Sequence, residues 1–191
     1  MYNLINVSKA DKLIKKPLSD TDIKRILGRA TKLITYPDLA KYTEINQLLP
    51  APNDFVVILI VEDETQDVIS GHWTAVLKYD NLFEFFDPYG NAPDYDLKKW
   101  MTKEQRAKLR EDKPYLSYLL QNQRHIYNKV RYEKMRKGVN SCGHHTCLRC
   151  YEFAKKGKGL PEFQKYLENL RKLYGVSYDE IAASFVSNFL D

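Results

Sequence analysis

Seven apolar residues in a row, Phe55 to Val61, form the longest apolar run in the chain, and they constrain the fold more than any other feature. A half-buried strand needs an apolar residue only at every second position. A run that is apolar at both parities and rich in β-branched residues predicts a strand buried on both faces. The run is too short to cross a bilayer, which takes roughly 20 residues. The next segments complete a meander. The acidic stretch Glu62 to Asp67 reads as a turn, and Ile69 to Tyr79 predicts a second strand with Trp73, Ala75 and Leu77 on one face. Asp80-Asn81 suits a two-residue hairpin turn. Leu82 to Phe86 predicts a third strand, closed by Asp87-Pro88-Tyr89-Gly90.

Helices are expected on either side. Residues 1–50 read as peripheral and helical. Ser19 or Asp20 caps an apolar face of Ile23, Ile26 and Leu27, and Tyr36-Pro37 interrupts the pattern. Residues 96–123 read as mostly helical with a break at Pro114, and Tyr127 to Tyr132 as a further strand. A helix from about Cys142 to Lys155 ends near Gly157. Two more helices follow. The last carries a capping box, Ser177 with Glu180, a staple pair, Val176 with Ile181, and an apolar face of Ile181, Phe185 and Phe189. Helices, then a strand meander, then helices specify an α+β fold with a central antiparallel (mixed) sheet. Residues 1–50 are expected to be peripheral, 55–155 the core and 160–191 the C-terminal helices of one unit.

Composition narrows the class. With 43% hydrophobic and 29% charged residues, the 191-residue chain is too apolar for a disordered protein. The first sixteen residues are charged and lack an apolar segment, so no secretory signal is expected. Three cysteines, all between 142 and 150, are not a disulfide framework. They point to a reducing compartment and to thiol or metal chemistry. The net charge is +5, and it is concentrated: Arg124, Lys129, Arg131, Lys134, Arg136 and Lys137 are accompanied only by Glu133. This stretch reads either as a solvated basic face or as a surface that holds nucleic acid through phosphate contacts.

Two constellations carry chemistry. A two-residue loop at Asp80-Asn81 pairs Tyr79 with Leu82 and so places Asp87 opposite Thr74. His72 then projects from the same face, a diagonal neighbour within side-chain reach. A carboxylate there can fix the tautomer of the imidazole and stabilise its charged form. A strand-end histidine and a turn aspartate also occur without any such role. The second constellation is Asn140-Ser141-Cys142-Gly143-His144-His145. Cys142 follows two good caps and opens a helix, where free N–H groups and the dipole favour a thiolate and can hold an oxyanion. Gly143, Thr146, Cys147, Cys150, Tyr151 and Ala154 share one helical face that suits close packing, which makes Cys147 and Cys150 core thiols. The alternative is zinc on Cys142, His144 or His145, Cys147 and Cys150. It asks four ligands within nine residues of one helix to converge, so no metal is expected. His144 and His145 read as surface or pocket-edge residues without chemistry.

Gly71-His72-Trp73, a strand ending in Phe86-Asp87-Pro88-Tyr89-Gly90, and Asn140-Ser141-Cys142-Gly143 before a helix together resemble the adenovirus maturation protease (adenain) group. The wider clan includes cysteine proteases specific for SUMO and ubiquitin-like proteins. The order His, Asp, Cys and the strand–strand–helix context both match, over about Phe55 to Phe153. The stretch Val139 to His145 is especially similar to versions in large DNA viruses, virophages and virus-like transposons. The resemblance implies a papain-related fold with a sheet packed on a central helix carrying the cysteine. It also implies a thiol endopeptidase with His72, Asp87 and Cys142 as catalytic residues. One departure is plain: the family's oxyanion-hole Gln, a few residues before the Cys, is missing. Glu133 stands near its position, and either a neutral Glu133 supplies the donor or backbone N–H groups and another donor such as Asn140 do the work.

The expected activity is cleavage of capsid and other virion precursors in the host cytoplasm, at the viral factory, and in the virion interior. The enzyme is expected to be an unsecreted monomer with no membrane partner and no required cofactor. The resemblance adds DNA or an activating peptide as a stimulator, with Arg124, Lys129, Arg131, Lys134, Arg136 and Lys137 as the DNA contact. Alternatives are a protease for ubiquitin-like modifiers and a nucleic-acid-binding module without catalysis. Trp73, beside the base, has two readings, a cleft wall and a core residue.

Overall fold

The computed structural model describes residues 7–64, 69–95 and 101–190. Its centre is a five-stranded mixed sheet in chain order: β1 (Lys32–Thr35), β2 (Phe55–Glu64), β3 (Ile69–Lys78), β4 (Phe83–Phe86) and β5 (His125–Tyr127). The inner pairs β2–β3 and β3–β4 are antiparallel, and each edge strand, β1 and β5, joins in parallel. The class is α+β.

The apolar run forms β2 and is buried on both faces, as its composition requires. Val57, Leu59 and Val61 face one layer with Trp73, Ala75 and Leu77. That layer holds helix Asp20–Leu27, the central helix Cys142–Lys156, and helices Leu160–Tyr174 and Tyr178–Val186. Val56, Ile58 and Ile60 face the other layer. There the 3-10 helix Tyr36–Lys41, the one-turn helix Ile45–Leu48 and helix Tyr115–Leu120 supply Leu39, Leu48, Leu116 and Leu119. Helices on both faces leave β2 no exposed side, so neither parity can be polar.

Several expectations are corrected. Residues 32–35, read as helical, form the β1 edge strand. Residues 62–64, read as turn, continue β2 past an irregularity between Val61 and Asp63, and 65–67 lie outside the described residues. The strand expected over 127–132 is His125–Tyr127 instead, because Asn128 spends its side chain on Asp87 and the chain leaves the sheet there. Of the helical stretch 96–123, residues 96–100 lie outside the described residues. Helices Lys103–Lys108 and Tyr115–Leu120 flank Pro114 as expected. No described helix is long and apolar enough to cross a membrane.

One buried ion pair locks the central helix to the β3–β4 hairpin. Arg149 has no exposed surface, and its guanidinium grips Glu84 of β4 with two bonds, Nε to Oε1 at 2.8 Å and Nη2 to Oε2 at 2.7 Å. Nη2 also donates to the Tyr79 hydroxyl (2.7 Å) and Nη1 to the Lys158 carbonyl (3.1 Å). The group lies 4.9 Å from the Phe163 ring centre. Every charged atom is paired, which is the condition under which a buried pair is tolerated. Arg149→Met leaves the buried Glu84 without its cation, with the Tyr79 hydroxyl (2.6 Å) as its remaining side-chain donor. It should cost about 3–5 kcal/mol of unfolding free energy in urea, with part regained by adding Glu84→Gln. An unchanged urea midpoint would show that the pair does not anchor the helix.

Candidate active site

The hairpin register is the one that a two-residue loop dictates. Tyr79 N–H donates to the Leu82 carbonyl at 2.8 Å, and Ala75 pairs with Phe86, so Asp87 follows directly opposite Thr74. His72 Nε2 donates to Asp87 Oδ1 at 2.6 Å, with both residues buried. The Gly71 that precedes His72 is forced by space: a Cβ there would stand 1.9 Å from the Ile60 carbonyl oxygen of β2.

Asp87 is held from all sides. Its Oδ1 accepts the Tyr89 N–H (3.0 Å) and its Oδ2 the Asn91 N–H (2.9 Å). Asn128 reads the Asp87 backbone as a neighbouring strand would, accepting its N–H at 2.9 Å and donating to its carbonyl at 2.7 Å. Gly90 closes the turn at φ +76°, where a Cβ would meet the Val130 carbonyl at 2.9 Å. The Tyr89 ring stacks on His72, with centroids 4.6 Å apart and planes 13° apart. Burial works to raise the Asp87 pKa. The His72 bond and the two N–H donors outweigh it and hold the carboxyl below its ordinary range.

Cys142 opens the central helix. Gly143 packs against Leu18 and the Trp73 ring, each 3.1 Å from where a Cβ would stand, and Thr146 Oγ1 donates to the Trp73 carbonyl at 3.0 Å. These contacts seat the helix start over β3 and bring its thiol within 4.8 Å of a His72 ring nitrogen. With Nε2 given to Asp87, Nδ1 is the ring nitrogen left for the sulfur. Burial disfavours a charged ring, but the hydrogen bonds to Asp87 and Cys142 outweigh it and lift the His72 pKa well above the ordinary value. The structure therefore brings His72, Asp87 and Cys142 together in a buried relay that can move a proton from sulfur to imidazole.

Glu133 joins them. One carboxylate oxygen of Glu133, a His72 ring nitrogen and Cys142 Sγ all lie within 4.8 Å of one another. Glu133 Oε1 accepts the Ser141 N–H at 2.9 Å, while Oε2 has no hydrogen-bond partner among the described residues. Burial raises the Glu133 pKa and Asp179 adds to it. The charges of His72 and His145 and the Ser141 N–H only partly oppose this. A buried carboxyl with a raised pKa can be neutral and carry a donor proton.

Asn140 is not at the site: it is exposed, and its side-chain amide donates to the Lys15 carbonyl at 2.9 Å, tying down the N-terminal segment. His144 and His145 are not at the surface. His145 is buried and bonded through Nε2 to Asp179 at 3.1 Å. His144 is fully buried with both ring nitrogens unpartnered among the described residues, and burial drives its pKa down to about 3, so it is neutral in the folded state. Cys147 and Cys150 are core thiols whose pKa burial pushes up, and among the described residues neither belongs to a cluster of three or more potential metal ligands. Ala154, assigned to the packed helix face, is exposed.

Arg124, just before β5, and Lys129, Arg131, Lys134, Arg136 and Lys137, on the segment from β5 towards Cys142, are all exposed. A cleft of about 570 Å³ is lined by Leu18, Leu59, Gly71, Trp73 and Asn140 with Asp20 and Glu62, and none of His72, Asp87 and Cys142 is among its lining residues. Trp73 has both roles considered for it: it is a core residue whose indole N–H donates to the Leu18 carbonyl at 3.0 Å, and it lines this cleft. Asn128, Tyr89 and Asp179 were missed by sequence reasoning. Tyr89 was visible in the turn beside Asp87, whereas Asn128 and Asp179 reach the site only through tertiary contacts.

No protein-family model matches the chain. Among solved structures it is similar to the SUMO protease Ulp1 with its catalytic cysteine oxidized to a sulfonic acid, at 11% identity, covering 95% of this chain and 84% of that one. It is likewise similar to Ulp1 oxidized to a sulfinic acid, at 12% identity, covering 100% and 88%. The TM-score is 0.39 in both cases, too low to bear on the fold or the site. The uncharacterized protein V9 of the Sputnik virophage is 32% identical over 170 residues, covering 87% of this chain and 92% of V9. On that relationship, the chain belongs to the family of the virophage protein V9.

Proposed function

We propose that this protein is a viral cysteine endopeptidase that cleaves capsid and other virion precursors during assembly. The observation that carries the reading is the buried relay, in which Cys142 Sγ lies within 4.8 Å of a His72 ring nitrogen and His72 bonds to Asp87 at 2.6 Å. His72 takes the thiol proton and Asp87 steadies the imidazolium. The thiolate attacks a peptide carbonyl of the substrate, forming a C–S bond and an oxyanion. The Cys142 N–H and a neutral Glu133 carboxyl donate to that oxyanion. Collapse breaks the C–N bond, and His72 returns its proton to the departing amine. Water, deprotonated by His72, then hydrolyses the thioester and frees Cys142. Every proton and electron pair comes from these side chains and water.

The substrate class rests on the resemblance to maturation proteases and on the virophage origin of the V9 relative. On this reading the enzyme works in the assembling virion. The exposed basic segment from Arg124 to Lys137 leads into the nucleophile's helix, and we read it as a contact for packaged DNA that can stimulate the enzyme.

Two experiments test this reading. Cys142→Ala and wild type are assayed on a Gly-containing fluorogenic peptide and on a co-expressed capsid precursor. Cleavage by wild type and none by the alanine variant is expected, and equal cleavage rules Cys142 out as nucleophile. The second experiment concerns Glu133. A carboxyl donates only while protonated, so its contribution fades as pH rises through its pKa, which burial places above the usual carboxylate value. Glu133→Gln, a donor at every pH, should therefore gain on wild type by about tenfold or more at pH 8. Glu133→Ala should lose roughly 10²–10³-fold at acid pH, where wild type has its donor. A Gln variant that keeps the wild-type pH profile would remove Glu133 from the oxyanion hole.

A further inference from the structure

Ser141 occupies the N-cap of the central helix but does not behave as a cap. At the helices that begin after Ser19, Thr102 and Ser177, the cap residue has ψ of 164–166° and its side-chain oxygen accepts the N–H three residues on. That is the usual arrangement. Ser141 has φ −104° and ψ 6° and makes no side-chain cap bond. This is the bridge region of backbone space, where active-site residues are often found.

The hydroxyl is engaged elsewhere. Ser141 Oγ donates to Asp179 Oδ1 at 2.7 Å, and the same oxygen holds His145 Nε2 at 3.1 Å. His145 N–H in turn closes the first helical turn on the Ser141 carbonyl at 3.0 Å. All three residues are buried, and Asp179 comes from the last helix, Tyr178–Val186. One carboxylate thus grips the residue before Cys142 and the residue three after it. The ψ angle of Ser141 sets the plane of the Ser141–Cys142 peptide, and that plane aims the Cys142 N–H. Moving ψ from 6° to the value of an ordinary cap would turn this N–H to a nearly opposite direction.

We propose that Asp179 is a positioning residue for the nucleophile: by holding the Ser141 hydroxyl, it keeps Ser141 out of the ordinary cap conformation and aims the Cys142 N–H at the developing oxyanion. This inference rests on the peptidase reading. Asp179 is suited to the task because it stays a carboxylate. Burial raises its pKa, but the bonds from His145 and Ser141 bring it below the ordinary value. Glu133 completes the clamp by accepting the Ser141 N–H at 2.9 Å. The residue before the nucleophile is therefore fixed at its amide by Glu133, eight residues upstream, and at its hydroxyl by Asp179, 38 residues downstream. Release of the hydroxyl frees it to cap the helix, which is the state the three other helices adopt.

The test is kinetic. Ser141→Ala, Asp179→Ala, Asp179→Asn and the Ser141→Ala/Asp179→Ala double variant are compared with wild type and Cys142→Ala on the fluorogenic peptide, with active enzyme counted by thiol titration. Asp179→Ala should lower kcat by roughly 10²-fold, the size of losing one oriented donor, with KM within about twofold. Asp179→Asn, whose amide oxygen can still accept the hydroxyl, should recover most of that loss. The double variant should be no slower than Asp179→Ala, because both changes remove one bond. Ser141→Ala removes a single oxygen and carries the test if Asp179→Ala does not fold, with a kcat loss of about tenfold or more expected. Ser141→Ala and folded Asp179 variants that all turn over at the wild-type kcat overturn the proposal alone. Losses that multiply in the double variant also overturn it. A wild type that cuts no faster than Cys142→Ala overturns the peptidase reading and this proposal with it.

Discussion

A two-residue turn at Asp80-Asn81 sets where Asp87 stands relative to His72, and the rest of the site is built outward from that pair. Side chains alternate along a strand, so a slip of one residue in the β3–β4 register would move Asp87 to the opposite face and leave two buried ionisable groups without each other. The burial of both residues makes the pairing more than a local preference. In an apolar surrounding neither is tolerable alone, and together with the Tyr89, Asn91 and Asn128 donors they satisfy one another.

The third member reaches this pair along a separate path. The central helix is tied to the same hairpin at two levels, by Arg149 on Glu84 and Tyr79 and by Thr146 on the Trp73 carbonyl. Glu84 lies three residues before Asp87, and Trp73 follows His72 directly. The anchors of the nucleophile's helix are therefore neighbours of the groups it has to meet. Rigid secondary structure carries the precision, and the loops on either side supply hydrogen bonds to it.

The parts of this arrangement that were legible in the sequence are those fixed by local rules. The buried strand showed as an apolar run, the register as a turn dipeptide, and the helix start at Cys142 as the position after Asn140-Ser141, although neither of those side chains caps it. The parts that were hidden depend on distant partners. Strand β1 is four residues long and takes its place from parallel pairing with β2, which leaves no mark in local periodicity. His145 read as a surface residue because its partner, Asp179, is 34 positions downstream. Asn140 looked well placed for the oxyanion by its nearness to Cys142 in the chain, but its amide is turned to the Lys15 carbonyl. Glu133 stood out only by its nearness to the position of a missing Gln, and its burial beside the thiol is what gives that substitution a physical meaning.

The central claim is that Cys142 and His72 act as one proton-sharing pair. Alkylation by iodoacetamide across pH reads it directly, because Cys147 and Cys150 have no exposed surface and the signal in the folded protein comes from Cys142. Rapid alkylation that persists at pH 6 in wild type, and slows by about tenfold or more in His72→Ala, is the predicted result. A Cys142 that at pH 6 reacts no faster than the thiols of the urea-unfolded chain, or that is indifferent to the loss of His72, would contradict it.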